Sequence, residues 1–123
     1  MEIKELTKAE EQIMQVLWDL EKGFVKDVVD QLPEPKPAYN TVSTIIRILE
    51  TKGFVDHEAF GKSHRYFALV SKEEYKSYAT GKLLNNYFGN SVESMFSFFV
   101  KEKKIDLEEA DEILKLIEKL KNK

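Results

Sequence analysis

Tyr39-Asn40-Thr41-Val42-Ser43-Thr44-Ile45-Ile46-Arg47-Ile48-Leu49-Glu50-Thr51-Lys52-Gly53 runs directly into Phe54-Val55-Asp56-His57-Glu58-Ala59-Phe60, then Gly61-Lys62-Ser63-His64 and Arg65-Tyr66-Phe67-Ala68-Leu69. Two periods meet in this stretch. Val42, Ile45, Ile46 and Leu49 recur at helical spacing, which predicts a helix from near Asn40 or Thr41 to Lys52-Gly53, with a lysine and a glycine at its end. After Gly53 the period falls to about two, which predicts strands over 54–60 and 65–69 around a polar, partly basic tip at 61–64. A helix followed at once by a hairpin narrows the choice of fold sharply.

The flanks narrow it further. Thr7-Lys8-Ala9-Glu10 has the capping-box form, and Ile13, Leu17 and Leu20 behind it predict a helix over 8–21, stopped by Gly23 in the left-handed conformation. Val28, Val29 and Leu32 predict a short second helix that ends at Pro33-Glu34-Pro35-Lys36-Pro37. Helix, short helix, Pro-rich turn, helix and hairpin is the order of a winged helix-turn-helix, whose third helix enters the major groove beside the wing. Downstream, Ser71-Lys72-Glu73-Glu74 and Asp106-Leu107-Glu108-Glu109 are two further capping boxes, and a helix at about 92–103 lies between the elements they begin. The expected architecture is mainly α with a small β-hairpin: a winged-helix DNA-binding domain over 1–71 and a helical dimerisation region over 72–123.

Composition sets the class. The chain has 123 residues, enough for one small domain with an appendage, and no cysteine, so it offers no disulfide and no thiolate chemistry. The longest mostly apolar run, Met95 to Val100, is far too short to span a bilayer, and the N-terminus lacks the layout of a signal peptide, so a cytoplasmic protein is expected. Net charge is -3, yet it is uneven. Residues 1–35 hold 4 Lys against 9 acids, whereas residues 36–72 hold 6 basic residues against 3 acids. The only positive stretch contains the third helix and the wing.

The outward side of that helix carries the candidate chemistry. Tyr39, Asn40, Thr41, Ser43, Thr44 and Arg47 supply hydroxyls, an amide and a guanidinium, with no carboxylate before Glu50. Asn pairs with adenine, a Thr methyl touches a thymine methyl, and Arg bonds guanine or phosphate. A helix N-terminus adds free N–H groups that suit phosphate. At the wing, Lys62, Ser63, His64 and Arg65 are placed to meet a phosphate backbone or enter a minor groove.

The C-terminal part is rich in large apolar residues. Val92, Met95, Phe96 and Phe99 share one face of their helix while Phe98 projects away from it, so one packed surface cannot cover them all. Leu84, Tyr87, Phe88, Met95, Phe96, Phe98, Phe99, Ile113 and Ile117 are therefore expected in a two-fold dimer interface, which would deliver two reading heads to two half-sites.

The stretch from Tyr39 to Val55 resembles the recognition-helix signature of the penicillinase repressor family, which includes methicillin-resistance and copper-transport repressors. The likeness continues through Leu6 to Trp18 and through Ser71-Lys72-Glu73-Glu74-Tyr75. It implies a homodimeric bacterial repressor on an inverted-repeat operator. In the resistance branch it implies release by proteolysis under a membrane sensor of β-lactams. The cleavage segment of that branch aligns with Ser94 to Lys101, where Phe98-Phe99 replaces an Asn-Phe pair. The copper branch senses metal through a C-terminal cysteine cluster, and this chain has none. Phe24 stands where relatives often carry a hydroxyl to cap the second helix.

Two rival classes are weaker. A winged helix used only for protein interaction fits the acidic total charge but not the carboxylate-free start of the third helix. Catalysis lacks a base–nucleophile or paired-carboxylate constellation. No cofactor is expected, and no metal site either: His57 lies beside Asp56 and Glu58, but successive strand residues face opposite sides. His57 is read as a satisfied strand residue and His64 as a phosphate-facing one.

Overall fold

In the computed structural model, residues 3–121 are described, and they form two compact units that divide between Ala79 and Thr80. The first begins with α1 (Lys8–Leu20), whose N-terminus closes a reciprocal box: Glu10 N donates to Thr7 Oγ1 at 3.2 Å, and Thr7 N donates to Glu10 Oε1 at 2.8 Å. Then follow β1 (Lys22–Phe24), α2 (Val25–Gln31), α3 (Tyr39–Thr51), β2 (Val55–Phe60) and β3 (Ser63–Ala68). The first turns of α4 (Lys72–Phe88) complete this unit.

The three strands form an antiparallel sheet in the order β1-β3-β2. β1 is absent from the sequence reading. Gly23 is not a helix stop but the middle residue of β1, opposite Tyr66, and Glu21 takes the left-handed turn instead at φ 70. A Cβ on Gly23 would sit 3.2 Å from Leu20 Cδ1, so close packing is what favours glycine there. The hairpin turn is also tighter than expected. Phe60 pairs with Ser63, leaving Gly61 at φ 62 and Lys62 as the turn, with Ser63 and His64 inside β3.

Met14, Leu17, Val28, Val42, Ile46, Leu49, Phe54 and Val55 form the fully buried centre. Ile45, expected inside, is only half-buried. Tyr75 ties α4 into this core. Its ring meets Phe54 and Trp18 at 5.8 and 6.2 Å, and its hydroxyl accepts from Leu6 N at 3.0 Å. For that reason the first unit ends within α4, beyond the expected 71/72 boundary. One ion pair is enclosed: Lys52 Nζ donates to both Glu10 oxygens at 2.8 and 2.9 Å. Burial pushes the Glu10 carboxyl up, but Lys52 and the Thr7 backbone outweigh it and hold it below its ordinary value.

In the second unit, α4 ends at a turn in which Gly89 and Asn90 both have positive φ. α5 (Val92–Lys101) is capped by Ser91 Oγ, which accepts from Ser94 N at 3.0 Å. It stops short of the expected 103, because Lys103 turns into the left-handed region at φ 57. α6 (Leu107–Lys121) is capped by Asp106, whose Oδ1 accepts from Glu109 N at 2.8 Å. Among the described residues, no helix is long and apolar enough to cross a membrane.

Candidate nucleic-acid interface

α3 starts without a side-chain cap and without an acid in its first turn, so its leading N–H groups stay available. Tyr39, Asn40 and Thr41 are exposed around that end, with Tyr39 at 56%. Beyond them the helix presents Thr44 and Arg47 outward, with Ser43 half-buried beside them. Thr44 Oγ1 donates back to Asn40 O at 2.9 Å, so what Thr44 keeps for a ligand is its methyl group and an acceptor. Ile48 and Thr51 continue the same stripe: Thr44, Arg47, Ile48, Thr51 and Lys52 line a shallow, mostly apolar depression. Ile48 is 43% exposed. Its outward position was missed because an isoleucine in this pattern reads as core.

Tyr39, Ser43 and Arg47 form one wall of an open groove whose other wall is Lys62, Ser63 and His64 of the hairpin. Tyr66, Phe60 and the start of α2, including Lys26, line the rest. Tyr66 is buried, and its hydroxyl is pushed above its ordinary value first by burial and then by Glu50, with Arg47 opposing. It stays a neutral phenol at physiological pH. Lys26 was not foreseen, since it belongs to the acidic N-terminal third of the chain.

The charge of the middle stretch is less available than a count implies. Lys36 Nζ donates to the carbonyls of Val29, Asp30 and Leu32 at 3.3, 2.9 and 2.8 Å and so caps the end of α2. Lys52 is held by Glu10. Arg65, expected at the DNA, is bound to Glu58 at 3.2 Å and lies over the Phe60 ring at 4.7 Å. It pairs with Glu58 on the sheet face that also carries Phe67 and Phe60, whereas His64 shares the face of Tyr66. Arg65 packs behind Phe60, which lines the groove, and is itself not among the lining residues. Among the described residues, Lys26, Arg47 and Lys62 make no ion pair. These three are the cations the groove has to offer. Asp27 also lines it, its Oδ2 accepting from Phe24 N at 2.9 Å, which is the return half of a capping box, while Phe24 offers the α2 N–H groups no side-chain acceptor.

Strand alternation did not keep every acid from His57. Glu58 does turn away to Lys22 and Arg65, but the Asp56 carboxylate folds back to accept from His57 N at 2.8 Å. Glu50 arrives from α3, and Glu50, Asp56 and His57 bring one potential metal-ligating atom each within 4.8 Å of the others. The consecutive trio Asp56, His57 and Glu58 does not converge; the third member of the cluster comes from α3 instead.

In the second unit, Phe88 and Phe98 meet at 5.7 Å between centroids, and Phe98 and Phe99 at 6.3 Å. Met95, Phe96, Phe99 and Ile113 are half-buried, as are Leu84 and Phe88, while Tyr87 is 76% exposed. Val92, expected with Met95 and Phe99, is 61% exposed. Ile117 is exposed too, together with Leu114, Leu116 and Leu120.

The family model described as Penicillinase repressor matches residues 6–119. The chain belongs to the penicillinase repressor family. Members of this family are repressors rather than enzymes. Among its relatives is the methicillin resistance regulatory protein MecI of Staphylococcus aureus (strain N315), 22% identical over 116 residues and aligned over 94% of each chain. The penicillinase repressor of Bacillus licheniformis is 23% identical over 122 residues, covering 98% of this chain and 95% of its own length. The solution structure of the DNA-binding domain of the repressor BlaI superposes with a TM-score of 0.53 at 23% identity, over 60% of this chain and 92% of that domain. The winged-helix fold expected from the element order is thereby shown for this family member.

Proposed function

We propose that this chain is a homodimeric bacterial transcriptional repressor that binds an inverted-repeat operator through α3 and the hairpin, acting in the cytoplasm on double-stranded DNA. The observation that carries the reading is the uncapped, acid-free start of α3 opening onto a groove that holds Lys26, Arg47 and Lys62 unpaired. Tyr39, Asn40, Thr41, Ser43, Thr44 and Arg47 face base edges and the adjacent backbone, while Lys62, Ser63 and His64 follow phosphates from the wing. Arg65 acts from behind by bracing the hairpin through Glu58 and Phe60.

Pairing of two copies is supported by the second unit. No residue of α5 is buried despite six large apolar side chains, and α6 exposes Leu114, Leu116, Ile117 and Leu120. A second copy of the chain would cover Tyr87, Met95, Phe96, Phe98, Phe99 and Ile117 in one isologous interface. The relatives' names, a methicillin resistance regulator and a penicillinase repressor, support control of resistance genes. Release by proteolysis at Phe98-Phe99 belongs to the same reading. Both residues lie inside α5, so a protease directed by a membrane sensor would have to open that helix before cutting. Selection of bound fragments from genomic DNA by the purified chain tests the proposal. Recovery of an inverted repeat supports it, and recovery no better than random fragments in a folded protein refutes it.

A further inference from the structure

Glu50, Asp56 and His57 lie off the outward stripe of α3 and play no part in the contacts proposed above. His57 Nδ1 is 2.5 Å from Glu50 Oε2 and 3.9 Å from Asp56 Oδ1. The ring is held from behind: His64 stacks on it at 4.0 Å between centroids and 9° between planes, and Tyr66 stands at 5.6 Å. That support leaves the Nδ1 edge directed at the two carboxylates. Among the described residues, no lysine or arginine is paired with either carboxylate, so two acids face one imidazole. Glu50 sits in the last turn of α3, where the helix dipole also favours a cation.

We infer that Glu50, Asp56 and His57 form a binding site for a divalent transition-metal ion of the zinc class, which clamps the hairpin to the recognition helix. One nitrogen and two oxygens suit zinc and its neighbours, whereas magnesium and calcium prefer all-oxygen shells. Bonds of about 2.0–2.2 Å place tetrahedral donors about 3.3–3.6 Å apart. The separations from His57 Nδ1, 2.5 and 3.9 Å, bracket that range, and all three donor atoms lie within 4.8 Å of one another, so small adjustments are what the ion requires. The ion takes the place of the hydrogen shared by His57 and Glu50, and water fills the open positions on this half-exposed surface. His64 stays outside the shell, because stacked parallel rings direct their nitrogens side by side and not toward one centre.

The clamp fixes the angle between α3 and β2, and its effect on operator affinity rests on the repressor reading. Uptake of the ion does not. The test is titration of metal-stripped full-length chain with zinc against a chromophoric chelator, with cobalt absorption reporting coordination by nitrogen and oxygen. The chain has two histidines and no cysteine, which keeps the assignment simple. The expected result is about one equivalent per chain, with affinity falling about tenfold or more in both His57→Gln and Glu50→Gln while circular dichroism stays unchanged. No uptake by a folded parent chain, or uptake indifferent to His57→Gln, would overturn the inference. Because the readout contains no DNA, failure here and failure of operator binding are separate results.

Discussion

Removing Lys62 probes the groove at an exposed cation on its hairpin wall. Lys62 occupies the second position of the hairpin turn and has no ion-pair partner among the described residues. If it meets a phosphate, Lys62→Ala removes one contact per subunit and two per dimer. Each contact contributes about 0.9 to the slope of log affinity against log salt, so the slope should fall by about 1.8. Between ~50 and ~200 mM salt, that change shrinks the loss of affinity by about 12-fold. Fluorescence anisotropy on a selected fragment across a salt series measures it. Lys36→Ala is the matched contrast: it lies in the same positive stretch, yet its ammonium is engaged with two α2 carbonyls and that of Leu32 just beyond. It should leave the slope alone and lower stability by about 1 kcal/mol. An unchanged slope in Lys62→Ala, or an equal fall in Lys36→Ala, would refute the argument that groove geometry rather than regional charge sets DNA affinity.

Other consequences follow from the same structure. Arg47→Ala should cost about 1–3 kcal/mol of binding and relax preference at one base position, read by selection of variant sites. Lys52→Met leaves the Glu10 carboxylate enclosed and unpaired and should destabilise the fold by about 3 kcal/mol in urea melts near neutral pH. The Glu10 carboxyl is held below its ordinary value of 4.5, so its contribution to stability is present above that pH and is lost as pH falls through the depressed folded value. The Lys52→Met penalty should accordingly shrink in melts at acid pH, and a penalty independent of pH would count against the pair. Phe98→Glu should shift sedimentation from dimer toward monomer, and an unchanged dimer would remove Phe98 from the interface.

The sequence made α3 and the hairpin legible because the apolar period changes abruptly at Gly53, and a change of period is a local signal. β1 carries no such signal. Its three residues are a strand only because Lys22, Gly23 and Phe24 pair with Phe67, Tyr66 and Arg65 far along the chain. Gly23 misled for a related reason: a glycine after a helix marks a stop or a tight approach, and only the neighbouring Leu20 side chain distinguishes them. In the candidate site, the residue types on the outer face of α3 could be read from helical spacing. The fate of the charges could not. Lys36, Lys52 and Arg65 are bound to partners that only the tertiary arrangement brings near, and Lys26 enters the groove from an acidic segment. The meeting of Glu50 with Asp56 and His57 was equally hidden, since it depends on how α3 docks against β2.

The most direct measurement is a hydroxyl-radical footprint of the full chain on a DNA fragment it selects. Two equivalent protected patches, on one face of the duplex and centred a whole number of turns (about 10 base pairs each) apart, are the result a paired winged helix predicts. A single patch, or protection that ignores the symmetry of the selected sequence, would contradict it.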